Sequence, residues 1–336
     1  MELSIGIPPP AVEVYQLPQE KGIDAFGYGN ITDPDTQGLP VVTKMGIHNF
    51  SLAGETVRLR LELFDWLPPC FGVFQEKGEL EKPVLLSVER VHTLPDWNVP
   101  AIYCDSTFTM MKSEGVFRFE MQNDSGGRMA ADVFPAGNND QSFFCAKLMI
   151  NGNFSEYHRG FILLRVFAVA ALLRSIVVVH SSAVIYEGKA ILFLGESKTG
   201  KSTHRQLWLN NIPDTEWMND DSPLVRVDDD GSVRAYGAPW SGKADCYKNI
   251  VAPLAAVVRL EQAPFNRIRR MIGVEAIGTL FPSTPYSFHF DPELSNRITD
   301  ITARILERTP AYHLECLPNA DAARLVWETL RKDGTL

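Results

Sequence analysis

Eight consecutive residues, Gly195-Glu196-Ser197-Lys198-Thr199-Gly200-Lys201-Ser202, fit the pattern G-x-x-x-x-G-K-[ST], and Thr203 follows them. The chemistry of that spacing is phosphate binding. Glycines let the backbone turn so that successive N–H groups face phosphate oxygens, and a following helix presents its positive end. Lys201 would reach the β and γ phosphates, and the Ser202 hydroxyl would ligate Mg²⁺. Lys198 stands where a glycine often eases such loops; it adds a phosphate contact or is a tolerated variable position. A chance match is the alternative. The apolar strand that enters the loop and the amphipathic helix that leaves it argue against chance.

Phosphoryl transfer also needs a metal clamp and a group that handles the acceptor's proton. Asp220-Asp221 follow Ser202 in Trp217-Met218-Asn219-Asp220-Asp221. Adjacent carboxylates repel and split their pKa values, which suits one metal ligand and one base; a solvated acidic turn is the other reading. His180 ends the apolar run Ile176–Val179, a place that suits a satisfied core histidine as well as a site residue. In Gly237-Ala238-Pro239-Trp240-Ser241-Gly242-Lys243 the segment reads either as a tight loop anchored by Trp240 or as a carrier that brings Lys243 to a transferring phosphoryl group. Arg226 and Arg259 are weaker candidates for that cation.

The elements that must position these groups fall into two halves. Residues 1–40 are rich in Pro and Gly and show no period, which predicts a surface arm. From Gly46 to Asn151 strand signals dominate: Val57 to Leu63 alternating, then Val84–Val91, Ala101–Met111, Val116–Met121 and Phe143–Ile150. These predict a mostly antiparallel sheet or sandwich. Asn138-Asn139-Asp140 reads as a loop. The second half alternates strands with helices. Strands are expected at Ile176–Val179, Ala183–Tyr186, Ala190–Leu194, Leu224–Val227, Val233–Tyr236, Leu254–Leu260 and Ala311–Cys316. Helices are expected from Lys201 to about Asn210 and at Gly273–Leu280, Pro292–Glu307 and Ala320–Arg331. Asp228-Asp229-Asp230-Gly231 marks a hairpin turn.

Composition narrows the function classes. The chain has 336 residues, 45% of them hydrophobic and 22% charged, which rules out wholesale disorder and suggests two domains or one large one with an elaborate extension. With 32 Lys and Arg against 41 Asp and Glu the net charge is −9, and no long basic run appears, which argues against a nucleic-acid binder. Five scattered cysteines without a Cys-x-x-Cys pair suit a reducing, cytoplasmic setting. The apolar run Phe161–Val179 has nearly the length of a membrane span. However, Arg165 and Arg174 interrupt it, and its chemistry changes from helix formers to β-branched residues, so a buried helix followed by a core strand is expected.

The quoted motifs occur together, in one order: His180-Ser181-Ser182-Ala183, Glu187-Gly188-Lys189, Gly195–Thr203 and Asn219-Asp220-Asp221. They resemble the HPr kinase/phosphorylase and phosphoenolpyruvate carboxykinase superfamily. With G-x-x-x-x-G-K-S-T-H and G-x-P-W-S-G-K the chain looks most like its uncharacterised HPr-kinase-related group. The match covers about Ile176 to Leu260. The resemblance implies a P-loop HPr-kinase-like domain over residues 156–336; the strand signals before it give a β-rich N-terminal domain over residues 1–155, whose motifs resemble neither family, and the whole is expected to be α/β (α+β). It implies His180 in the active site, and Asp220 as metal ligand or catalytic base with Asp221 beside it. It also implies an ATP- and Mg²⁺-dependent kinase, Mn²⁺ being an alternative metal, acting on a hydroxyl in a small molecule, peptide or protein serine. The signature E-[IV]-R-G-L-G-[IM] of HPr kinases is replaced here by Val233–Lys243, so its glutamate is missing. No counterpart of the carboxykinase oxaloacetate-binding arginine region can be placed. A carboxykinase-like lyase and a non-catalytic nucleotide sensor remain alternatives, neither a nucleic acid nor a membrane is an expected partner, and a homo-oligomer is left open.

Overall fold

The first sheet is built around an ion pair. In the computed structural model, which describes residues 46–61, 67–76, 83–137, 142–242 and 247–336, Arg118 and Asp132 stand directly opposite each other on neighbouring strands. Both are sealed from solvent, and the Arg118 fork meets the carboxylate at 2.5 and 2.6 Å. Pro95 O accepts a third bond at 2.6 Å, and the guanidinium lies 4.4 Å from the Trp97 ring. A charge this buried is tolerated only because its donors are satisfied. The expectations placed on residues 1–40, Asn138–Asp140 and Lys243 lie outside the described residues.

Eight strands form this sheet: β1 (Gly46–Leu52), β2 (Glu55–Leu61), β3 (Val84–Val91), β4 (Ala101–Cys104), β5 (Thr109–Ser113), β6 (Val116–Gln122), β7 (Arg128–Pro135) and β8 (Ser142–Asn151). Their order is β1-β2-β3-β8-β7-β6-β5-β4. It is one mixed sheet: β2–β3 and β3–β8 are parallel and the other neighbours antiparallel. The single strand expected over Ala101–Met111 is two. The Asp105 side chain accepts from the N–H groups of Thr107 and Phe108 at 2.6 and 3.0 Å, an Asx turn that reverses the chain.

The long apolar run becomes α1 (Glu156–Ala171), started by Ser155, whose hydroxyl accepts from His158 N–H. Nearly every residue from Ile162 to Ala171 is buried, with Arg165 the exception, as expected of a helix enclosed on all sides. A left-handed Ser175 ends the segment, and β9 (Ile176–Val178) follows. Among the described residues no helix is long and apolar enough to cross a membrane.

The second half supplies β10 (Ser181–Tyr186), β11 (Lys189–Leu194), α2 (Lys201–Asn211), β12 (Thr215–Asn219), β13 (Leu224–Val227), β14 (Val233–Tyr236) and β15 (Val251–Gln262). Then come β16 (Arg267–Met271), α3 (Val274–Leu280), α4 (Pro292–Arg308), β17 (Ala311–Cys316) and α5 (Ala320–Lys332). The sheet runs β12-β10-β11-β15-β14-β13-β9, with β17 on β15 and β16 on β17. The long β15 serves two wings. Its first residues pair antiparallel with β14, and residues 254–259 run parallel to β11. The architecture is mixed α/β with two large sheets.

Strand β11 is buried on both faces. Ile191 and Phe193 pack with Trp208 of α2 and Val326 of α5. Ala190, Leu192 and Leu194 belong to a second core that also holds α1 and the inner face of the first sheet. Each such fully buried large side chain contributes about 1.5–3 kcal/mol. The loop Gly195–Ser202 therefore leaves from a strand buried on both faces. An ion pair between Arg226 and Glu55 at 2.9 Å joins the two sheets, and one between Lys112 and Asp291 at 3.0 Å ties the first sheet to the start of α4.

Candidate active site

Topology brings the motif residues to one end of the second sheet. Ser181 pairs with Leu194, so the start of β10 lies beside the end of β11, where the loop begins. β10 and β12 are antiparallel and Ala183 faces Asn219, so the Asp220-Asp221 turn arrives at the same end. The Ser181 N–H donates to Asp221 O at 2.9 Å and locks the turn in place. Because β11 and β15 are parallel, this end is the carboxyl side of the parallel strands, where α/β sheets bind ligands.

The loop has the expected strained corners. Gly195 has φ 150° and Gly200 φ 102°. A Cβ on Gly195 would lie 2.5 Å from Thr199 Oγ1, so only glycine fits. Lys198 adopts φ 71°, a left-handed conformation that costs a lysine what glycine would escape. Its carbonyl accepts from Gln262 Nε2 at 3.1 Å, while Ser197 and the Lys198 side chain are exposed. Gly200 precedes α2 without any side-chain cap, leaving the first helical N–H groups to a ligand. Lys201 is buried, and its ammonium donates to Gly195 O at 2.9 Å and Glu196 O at 3.0 Å. Burial lowers its pKa, opposed by the charges of Asp221 and Asp220. Ser202 and Thr203 are exposed on the first turn.

The two acids have different surroundings. Asp220 is nearly buried, and its Oδ1 accepts from Ser182 Oγ at 2.7 Å and Arg205 Nε at 3.0 Å. Asp221 is about one-third exposed; its Oδ2 accepts from Ser222 Oγ at 2.7 Å, and its Oδ1 lies 3.5 Å from His180 Nδ1. Asn219 shapes the turn by accepting the N–H groups of Asp221 and Ser222 at 3.0 and 2.9 Å, while its own amide donates to Ala238 O. Desolvation holds the half-exposed His180 below the ordinary histidine range; Asp221 opposes this, while the Lys201 and Arg165 charges add to it. The balance favours the neutral imidazole.

Two cavities adjoin these groups. One of about 510 Å³ lies along Lys198, Thr199 and Gly200, with Leu207, Leu260 and Pro264 among its walls. The other, about 660 Å³, is lined by His180 and Asp221, by α1 residues that include Phe161 and Arg165, and by Phe71 and Trp240. Trp240 is an anchor: its Nε1 donates to Gly160 O at 2.8 Å, and its ring meets Phe71 edge-on at 5.7 Å. Gly242, with φ 58°, packs against Asp221, just before the undescribed Lys243. Arg226 is committed to Glu55 and Asp228, whereas Arg259 reaches toward Glu196 at 3.8 Å. Sequence reasoning missed Ser182 and Arg205 as partners of Asp220, and Arg165 on the cavity wall. Arg205 sits on the same helix as Lys201, four residues on, which places both on one face; that spacing could have pointed to it.

No protein-family profile matches the chain, and no curated protein matches it. Among solved structures it is similar to the HPr(Ser) kinase/phosphatase of Coxiella burnetii. The two share 12% identity with a TM-score of 0.26, over 47% of this chain and 95% of that one. The likeness is weak.

Proposed function

We propose that the protein is a phosphotransferase that moves the γ-phosphoryl group of ATP to a hydroxyl-bearing acceptor, with Mg²⁺ as the metal. The observation that carries this reading is one constellation. A buried lysine caps a glycine-bounded loop, an acid pair stands beside it, and a cavity opens on the outer acid and a neutral histidine. Lys201 would exchange the carbonyls of Gly195 and Glu196 for the β and γ phosphates, with the uncapped N–H groups of α2 as further donors. The smaller cavity, with its apolar walls, suits the nucleoside.

Asp220 and Ser202 are the groups for the metal. Hydroxyl and carboxylate are hard oxygen donors, and Mg²⁺ is commonly held by one or two carboxylates together with substrate phosphates. Arg205 and Ser182 converge on one oxygen of Asp220, which fixes the carboxylate's orientation. When bound, Mg²⁺ neutralises charge on the transferring phosphoryl group. Asp221 faces the larger cavity and accepts the acceptor's proton as its oxygen bonds to phosphorus and the bond to ADP breaks. The neutral His180 keeps that carboxylate oriented. Alanine at Lys201 or Asp220 abolishes ATP-dependent ADP formation while leaving the circular dichroism spectrum unchanged. Wild-type turnover in either variant would sink the assignment.

A further inference from the structure

Among the described residues, the larger cavity holds a cation without an ion-pair partner. Arg165 projects from the middle of α1, and its Nε is sealed from solvent without a hydrogen bond. Among the described residues its guanidinium makes no hydrogen bond, and no carboxylate lies within the 4.0 Å of an ion pair. What it does touch is aromatic: the guanidinium carbon lies 4.5 Å from the Phe161 ring centroid and 5.3 Å from that of Phe108. Aromatic faces hold a guanidinium in place but do not replace the hydrogen bonds it lost on leaving water. Burial lowers its pKa only to about 10, so it stays charged at neutral pH. Arg118 and Lys201, both buried, have their acceptors: Arg118 has Asp132, and Lys201 has two loop carbonyls; Arg165, which is only partly buried, has none among the described residues.

We propose that Arg165 is the anchor for a carboxylate on the acceptor, which makes the acceptor a hydroxy acid with an apolar or aromatic body. This rests on the phosphotransferase reading, since it is that reading's acceptor pocket which is being filled. Three observations select the chemistry. The planar fork of arginine matches a carboxylate with two parallel bonds. Its lining includes the aromatic side chains Phe71, Phe161 and Trp240. Asp221 lines the same cavity, and its negative charge disfavours a dianionic phosphate beside a single cation. An acid seated on Arg165 directs the rest of the molecule, and its hydroxyl, toward Asp221 and His180. The volume of about 660 Å³ falls within the range of small-molecule sites.

The test is calorimetric titration, without nucleotide, of a panel of aromatic and aliphatic hydroxy acids led by 3-phenyllactate. Each acid is paired with its primary amide, and phenyl phosphate is added as a dianionic probe. The expected result is that acids bind the wild type about tenfold or more tightly than their amides. Arg165→Gln loses that preference and Arg165→Lys keeps part of it. Mg·ATP titrated into the same variants, with affinity within about twofold of wild type, shows that the fold and the loop are intact. Three results would overturn the inference: no acid binding, equal binding of acids and amides, or undiminished acid binding by Arg165→Gln. Tighter binding of phenyl phosphate than of any acid would overturn the carboxylate assignment. Arg165-dependent acid binding in a protein that does not bind Mg·ATP would leave the anchor standing and remove the phosphotransferase reading.

Discussion

His204 follows the Gly195–Ser202 loop, on the first turns of α2, and is 3% exposed. Its ring meets Phe193 edge-on at 4.7 Å, and its Nε2 has no hydrogen-bond partner. Burial pushes its pKa down to about 3 from an ordinary 6.5. The folded protein therefore keeps the imidazole neutral where the unfolded chain protonates it. Above pH 6.5 both states are neutral and the residue has no effect. As pH falls below 6.5 the unfolded state gains a proton that the folded state refuses, so stability is lost until pH reaches about 3. At 1.36 kcal/mol per pH unit, the loss between pH 7 and pH 5 is about 2 kcal/mol. His204→Leu removes both the titration and the unpaired nitrogen. Urea-unfolding curves followed by tryptophan fluorescence at the two pH values, for wild type and variant, isolate this histidine from the other six. The variant should lose about 2 kcal/mol less than the wild type over that interval. Equal losses would mean that the folded protein protonates His204 freely, and would refute its dry packing.

Three further outcomes are expected. Arg118→Met leaves Asp132 buried without its cation and should destabilise the protein by about 3–5 kcal/mol; the double variant Arg118→Met with Asp132→Leu should recover most of that in the same unfolding assay. Arg205→Leu frees Asp220 from its orienting partner and should lower turnover about 10–100-fold, measured at a temperature where circular dichroism shows the variant still folded. Gly195→Ala drives a methyl group against Thr199 Oγ1 at a backbone angle that only glycine adopts easily, and should weaken Mg·ATP binding about tenfold or more by calorimetry.

How much of this was legible in the sequence depended on how locally each feature is encoded. The β13–β14 hairpin was, because Asp228–Gly231 holds its own turn: Gly231 N–H donates to Asp228 O, and Gly231 has φ 78°. β3 and β17 matched their expected limits, and α4 extended one residue beyond its expected end, because the apolar patterns at these places are continuous and bounded by turn residues. β7 was not legible. Met129 to Phe134 are buried on both faces, so the alternation that marks a half-exposed strand is missing. β16 was hidden for the opposite reason: Arg267-Ile268-Arg269-Arg270-Met271 is a charged edge strand whose pairing comes entirely from β17. The Gly195–Ser202 motif is contiguous, and the strand before it and the helix after it stand where its spacing predicts. The partners of Asp220 come from two different elements, and Arg165 shares the large cavity with Asp221 only once α1 packs between the sheets. Such neighbours are set by tertiary packing, and no spacing along the chain encodes them.

The most direct test of the account is calorimetric titration of Mg·ATP into the wild type and Lys201→Ala. The loop geometry predicts one site in the wild type and a loss of about tenfold or more in affinity when the buried ammonium is removed, the usual scale for a charged hydrogen-bonding group. A wild-type protein that takes up no heat, or a Lys201→Ala variant that binds as tightly, would contradict it.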